Sequence, residues 1–335
     1  TTFMLIGLLS YLHWRKTVGL GFSALAPLVT MVISFVLAVL AKENAVVLLP
    51  IVVLLEILWF QFRDAEGRRI LWLQRVSMSL LVLGILSVTV FFTIGREWLL
   101  AGYAGRSFTL QQRLLTDSRD LWDYLGQLFF PDFLRMGILH DDYTTSTGLT
   151  EPITTLYALL GWIAVLIASG LLLRLEWGRY LVFCSLFFLL GHSIESTVFP
   201  LELYFEHRNY FPGIGLVLGL GVLVCLLAKR WHELTAPLVV YVACYAFWLA
   251  MLTSSQVQIW SSRPLLVLNN LNGHPESYRA NVDMAVMLAD IGEFEEAREY
   301  SKRAYSYSPG EYHGDFSVRD MTISCIADQP VAPEM

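Results

Sequence analysis

Residues 20–60 read LGFSALAPLVTMVISFVLAVLAKENAVVLLPIVVLLEILWF: two apolar runs, 20–41 and 45–60, divided only by Lys42, Glu43 and Asn44. At about 1.5 Å per residue the first run is long enough, as a helix, for a hydrocarbon core of about 30 Å. Three polar residues suffice for a tight turn and little else. The stretch therefore predicts a helical hairpin inside a membrane. Glu56 falls within the second run, four residues from its end, where its carboxylate is expected to snorkel to the interface.

The same pattern recurs on both sides. A partial span at residues 3–14 precedes the hairpin, and further spans are expected at about 76–93, 153–173, 180–193, 211–228 and 238–253. The expected fold class is thus all-α: a polytopic helical membrane domain over residues 1–260, with about eight spans. Composition agrees, since 56% of the 335 residues are hydrophobic and 13% aromatic, with a mean hydropathy of +0.55. A soluble domain of this length is excluded. The net charge of -6, without a basic tail, argues against nucleic acid as a partner. The four cysteines give no disulfide framework and no zinc spacing. The chain opens at Thr1 inside an apolar run, and a longer parent protein is expected.

Orientation follows from basic residues in the loops. Arg15, Lys16, Arg63, Arg68, Arg69, Arg75, Arg174, Arg179, Lys229 and Arg230 fall in short loops on one side, which is expected to be cytoplasmic. The Lys42 turn, a long loop at 95–151, the segment 192–213 and everything after residue 254 are then expected on the other face.

Segment 192–213 sets His192, Glu195, Glu202, Glu206, His207 and Arg208 between two apolar runs, where ionisable groups are costly. Pro200 and Pro212 bracket it. A short helix over 200–209, stopped by Pro212, would put Glu202 and Glu206 on one face. Ordinary interfacial ion pairs are the competing reading. In the outer loop, residues 108–130 place leucines and Trp122 among Gln, Arg and Asp, an amphipathic interfacial pattern. Beyond it, His140, Asp141 and Asp142 could hold a sugar hydroxyl or a divalent metal ion, or form a solvated turn.

After Trp260 the composition becomes that of a soluble helical segment, 261–335. Ala285, Leu288, Gly292, Phe294, Ala297, Ala304 and Pro309 fit one tetratricopeptide unit at about 278–311, with a disordered tail at 329–335.

Leu40-Ala-Lys-Glu-Asn44, Arg106-Ser-Phe-Thr-Leu-Gln-Gln-Arg-Leu-Leu115, Gly137-Ile-Leu-His-Asp-Asp142 and Pro200-Leu-Glu-Leu-Tyr-Phe-Glu-His-Arg-Asn-Tyr210 precede the tetratricopeptide unit in that order. In this combination the chain resembles the transmembrane and tetratricopeptide-repeat-containing O-mannosyltransferases of the GT-C glycosyltransferase superfamily, and their bacterial relatives. The resemblance implies transfer of a sugar from a polyprenyl-phosphate carrier to a protein or glycan acceptor. It implies a bacterial inner membrane location with the C-terminal segment in the periplasm, where a protein partner could engage the repeat. Lys42, His207 and Arg208 would then meet the carrier phosphate, and Glu43, His140, Asp141, Asp142 and Glu206 would orient sugar or acceptor, with a divalent metal ion if one is used. The catalytic base of such enzymes lies after their first span, upstream of Thr1 in this numbering. Two other classes stay open: a membrane-anchored scaffold for envelope assembly, and a transporter. Transport would call for charges at mid-span, whereas the charges here sit at span ends.

Overall fold

The computed structural model describes residues 1–18, 21–64, 66–132 and 135–307. Pro309 and the tail 329–335 lie outside the described residues, as does Leu20, the expected start of the second span. The described chain is helical, without a β-strand. Five helical segments are long and apolar enough to cross a membrane: Glu43–Phe60, Leu71–Ile94, Thr154–Leu172, Glu206–Arg230 and His232–Trp260. The chain is that of a membrane protein. Two other expected spans, Leu25–Ala41 and Gly178–His192, are apolar but shorter.

Contacts group the chain into two units. The first holds residues 1–102, 159–201 and 207–230, and the second 103–158, 202–206 and 231–335.

In the first unit, α1 (Thr2–Thr17), α2 (Leu25–Ala41) and α3 (Leu48–Leu55) pack together, and α3 also meets α8 (Gly178–His192). Tyr11, Trp14, Val47, Ile51, Phe187 and Phe211 form the buried centre. α9 (Tyr210–Arg230) lies along α8 in a seam of small residues. A Cβ at Gly191 would stand 2.7 Å from Pro212, one at Gly215 2.7 Å from Phe187, and one at Gly219 3.0 Å from Cys184. Glycine lets the two backbones approach, as suits helices with no water to drive them together.

α4 (Leu71–Ile94) buries only Leu73 and Ser77, and Val82, Leu83, Ile85 and Val88 face outward. Apolar surface on that scale would aggregate in water, and lipid is its natural solvent. The hydroxyls of Thr89 and Thr93 return to their own helix, each donating at 2.9 Å to the carbonyl four residues earlier. That satisfies polar groups where no water is at hand. α5 (Arg96–Ala101) follows, and α7 (Thr154–Leu172) is stacked on α8 through Trp162 and Phe188.

The reading of Glu56 is corrected. It does not snorkel: it is fully buried, with Arg15 Nε at 2.6 Å from Oε1. The Tyr11 hydroxyl donates to the same oxygen and the Phe62 N–H to Oε2 at 3.1 Å. The helix widens into a π-helical turn at Glu56–Phe60 and ends in two left-handed residues, Gln61 (φ 50°) and Phe62 (φ 56°). A bulky residue in that region is strained. Here it folds the backbone back so that Phe62 reaches the carboxylate, and Arg15 Nη2 caps the Arg63 carbonyl at 2.7 Å.

A second correction concerns Pro212. Residues 200–205 are not helical, Glu206–Asn209 is a single 3₁₀ turn, and Pro212 lies in the first turn of α9. Proline lacks the N–H that a first helical turn leaves unused, so it opens this helix instead of closing the previous one.

The second unit contains α6 (Leu110–Phe129), α10 (Thr235–Trp260), α11 (Arg263–Gly273), α12 (Tyr278–Asp290) and α13 (Phe294–Tyr307). α10 buries no residue. α12 and α13 form a hairpin with Ala280, Ala285, Ala297 and Ala304 in its seam. Gly292 takes φ +88° at the turn, where a side chain would be strained.

Candidate functional site

α6 begins with a capping box: Thr109 Oγ1 accepts from the Gln112 N–H at 3.3 Å, and Gln112 Oε1 accepts from the Thr109 N–H at 2.8 Å. The helix is amphipathic as expected, but the protein buries its polar side. Arg113, Thr116, Asp117, Asp120 and Tyr124 are buried, whereas Leu114 is 44% exposed and the other leucines are only half-buried. Such a helix offers its apolar side to lipid and its polar side to the protein.

Segment 202–206 is pinned to that polar side. The Tyr124 hydroxyl donates to the Phe205 carbonyl at 3.1 Å and accepts from the Phe205 N–H at 2.9 Å. Arg113 Nη1 donates to the Glu202 carbonyl at 3.2 Å. The loop after α6 is held in the same way: the Ser146 N–H donates to Thr116 Oγ1 at 2.8 Å, and Arg119 Nη1 to the Thr144 carbonyl at 2.9 Å. Arg119 also lies over the Tyr143 ring, 5.3 Å from its centroid.

Here the three polar residues of the outer loop part company. His140 stays in the cluster: its Nε2–H donates to the Gly137 carbonyl at 3.1 Å and stands 3.6 Å from Glu206 Oε1, with the Tyr204 and His274 rings each 4.6 Å away. Asp141 accepts from Ser277 Oγ at 2.6 Å and from the Arg279 N–H at 3.2 Å, at the start of α12. Asp142 accepts from His274 Nδ1 at 2.9 Å. His274 Nε2 faces the Arg135 carbonyl at 3.3 Å, so both ring nitrogens meet acceptors. Burial opposes a charged imidazole there, but the hydrogen bond and charge of Asp142 outweigh it and raise the pKa of His274 above 6.5. Asp141 and Asp142 therefore latch the loop to the α11–α12 connection, and among the described residues no group of His, Cys, Asp or Glu has metal-binding geometry.

His140, Tyr143 and Tyr204 divide two pockets. The larger, about 180 Å³, has Asp123, Asp132, Arg135 and His274 in its wall; the smaller, about 110 Å³, has Arg106, Asp141, Glu202 and Arg279. The Tyr143 and Tyr204 rings stack at 5.2 Å and 21°. Glu202 does not share a helix face with Glu206; its carboxylate pairs with Arg279 at 3.0 Å.

The remaining expected site residues lie in the first unit. Lys42 caps α2 in extended conformation and its ammonium, half exposed, pairs with Glu195. Glu43 is exposed at the start of a 3₁₀ turn. Arg208 is buried and His207 exposed, and His207 feels the charges of Lys42, Glu195 and Arg208. His192 is buried with Nδ1 3.2 Å from Ser196 Oγ.

Sequence reasoning passed over Asp120, Asp123, Tyr143, Tyr204 and His274. Part of the signal was present: Arg113, Asp117, Asp120 and Tyr124 recur at i, i+4, i+7 and i+11, a polar stripe on one helix face. Comparison with known protein families, with curated proteins and with solved structures returns no match for this chain.

Proposed function

We propose that this chain is the membrane-embedded part of a GT-C-type glycosyltransferase, which moves a sugar from a polyprenyl-phosphate carrier to a protein or glycan acceptor on the periplasmic face of a bacterial inner membrane. The observation that carries this reading is the pocket lined by Tyr143 and Tyr204 together with Asp123, Asp132, Arg135, His140 and His274. Sugar rings present apolar C–H faces that suit aromatic surfaces, and hydroxyls that suit carboxylates, guanidinium and imidazole. In the first unit, Lys42 pairs with Glu195, and His207 lies within electrostatic reach of Lys42, Glu195 and Arg208, so that cationic and donor groups stand near one another. Such a group is suited to a phosphodiester and to the charge that grows on it as it leaves. The α12–α13 hairpin is read as a tetratricopeptide-type unit open to a protein partner.

The test uses membrane vesicles containing the full-length protein, so that native acceptors are present, with a panel of radiolabelled polyprenyl-phosphate hexoses. Label should move from lipid to an aqueous or protein-bound fraction, and Tyr204→Ala should slow it at least about 10-fold. Vesicles that transfer no label from any donor, beside a folded protein, would sink the proposal. They would favour the scaffold reading.

A further inference from the structure

Residues 61–70 join two of the membrane-crossing helical segments, Glu43–Phe60 and Leu71–Ile94. A connection this short keeps its side chains at the bilayer surface. The backbone doubles back as a small hairpin: the Asp64 N–H donates to the Arg68 carbonyl at 2.9 Å, and the Ile70 N–H to the Phe62 carbonyl at 2.7 Å. Between those two bonds Arg63 and Arg69 form an antiparallel bridge. A pair flanked in this way exchanges no hydrogen bond of its own, and its Cα atoms approach to about 4.5 Å with both side chains on one face. The base of the hairpin is fixed from inside the protein, since the Phe62 N–H is held by Glu56 and the Arg63 carbonyl by Arg15.

Like charges directly opposite each other are unfavourable unless an anion stands between them. The acids of the loop do not serve. Asp64 accepts from Arg68 Nε at 2.9 Å and Glu66 from Arg68 Nη2 at 3.0 Å, so both are taken up by Arg68. Among the described residues neither Arg63 nor Arg69 meets a carboxylate, and both are exposed. Arg63 Nη1 donates to the Gly67 carbonyl at 3.3 Å, which leaves its charge unbalanced. Leu71 and Trp72 follow at once, 53% and 54% exposed, and the exposed Arg75 stands one turn along α4 from Trp72. An indole at the end of a span belongs at the level of the lipid headgroups.

We propose that Arg63 and Arg69 together bind the phosphate of an anionic phospholipid in the leaflet that this loop faces, with Arg75 beside them and Trp72 among the headgroups. Two planar guanidinium forks match the several oxygens of one phosphate, and the phosphate removes the repulsion between them. Because the hairpin sits between two spans, the phosphates within its reach are those of lipids. An anionic headgroup is preferred to a zwitterionic one, which carries a cation of its own in competition with the arginines.

The test melts the full-length protein, followed by tryptophan fluorescence, in nanodiscs of phosphatidylcholine alone and of phosphatidylcholine mixed with phosphatidylglycerol. Native mass spectrometry counts the phosphatidylglycerol retained. Wild type should retain it in preference to phosphatidylcholine and melt higher in its presence. Arg63→Gln with Arg69→Gln should lower that preference about 10-fold. In phosphatidylcholine alone the same variant should melt no lower than wild type, because the like-charge pair is gone. Arg69→Gln alone disturbs no hydrogen bond of the hairpin and should lower the preference about 3-fold, which decides the matter if the paired variant does not fold. Arg174→Gln with Arg179→Gln removes equal charge at the α7–α8 connection and should leave the preference intact. An unchanged preference in the Arg69 variants, or an equal loss in the Arg174 and Arg179 pair, overturns the proposal. So does a melting point lowered equally in both lipids, which would assign the arginines a structural role, and so does displacement of the lipid by millimolar inorganic phosphate, which would make this a site for the free ion.

Discussion

Arg15 and Glu56, 41 residues apart, meet at 2.6 Å with side chains 1% and 0% exposed. A buried pair of this kind adds little net stability over an apolar pair, yet losing one partner strands the other charge in a dry site. Arg15→Met should therefore destabilise the protein by about 3–5 kcal/mol, and Arg15→Met with Glu56→Leu should recover most of that loss. Unfolding of the purified protein in detergent, followed by tryptophan fluorescence, measures both. A double variant as unstable as the single one would refute the account.

Arg208 tests the phosphate assignment. Replacement by Lys keeps the charge but loses the planar, two-pronged donor, and should weaken donor use partially. Replacement by Ala should weaken it further, by about 2–4 kcal/mol in kcat/KM. If Arg208→Ala transfers normally at normal expression, Arg208 does not bind the carrier phosphate.

The His274–Asp142 latch should depend on pH. The native state holds a proton on His274 that the unfolded chain releases more easily, because the folded pKa is raised above 6.5. The latch's contribution is complete below that ordinary value and is lost as pH climbs through the raised one. Amide hydrogen exchange around Tyr143, followed between about pH 6 and pH 9, should speed up with pH beyond its intrinsic rise. His274→Gln should remove the excess, and an unchanged excess in that variant would discount the latch.

Deleting α11–α13 removes His274, Ser277 and Arg279, the partners of Asp142, Asp141 and Glu202. Limited proteolysis should then cut the loop around residues 135–145 faster. The Arg15–Glu56 network draws on none of the deleted residues and should keep its thermal stability. Equal cleavage with and without the deletion would show that the latch does not hold the loop.

Much of this fold was legible because lipid-facing helices leave a one-dimensional trace: an uninterrupted apolar run needs no partner to be recognised. The site was less so. Lys42, His140 and Arg208 stood out as charges among apolar residues, but pairing is a tertiary fact. Glu56 could not be separated from a snorkelling carboxylate without Arg15, and Asp141 could not be seen to cap α12 from its own neighbours. The polar stripe of α6 was visible by spacing, but its burial was not, since solvated and buried stripes share one period. At Pro212 the same residue type both ends and begins helices, and only the non-helical course of residues 200–205 decides which.

The α8–α9 seam sets terms for how this protein can diverge. A methyl group at position 191 would collide with the ring of Pro212, and one at 215 with Phe187. Neither helix can yield alone, because Phe187 and Phe211 already belong to the unit's buried centre. Single steps away from glycine at these positions are closed. Descendants of this sequence should change 191 together with 212, and 215 together with 187, or leave all four as they are, while outward positions such as Val217 and Leu218, more than half exposed, drift freely among apolar residues.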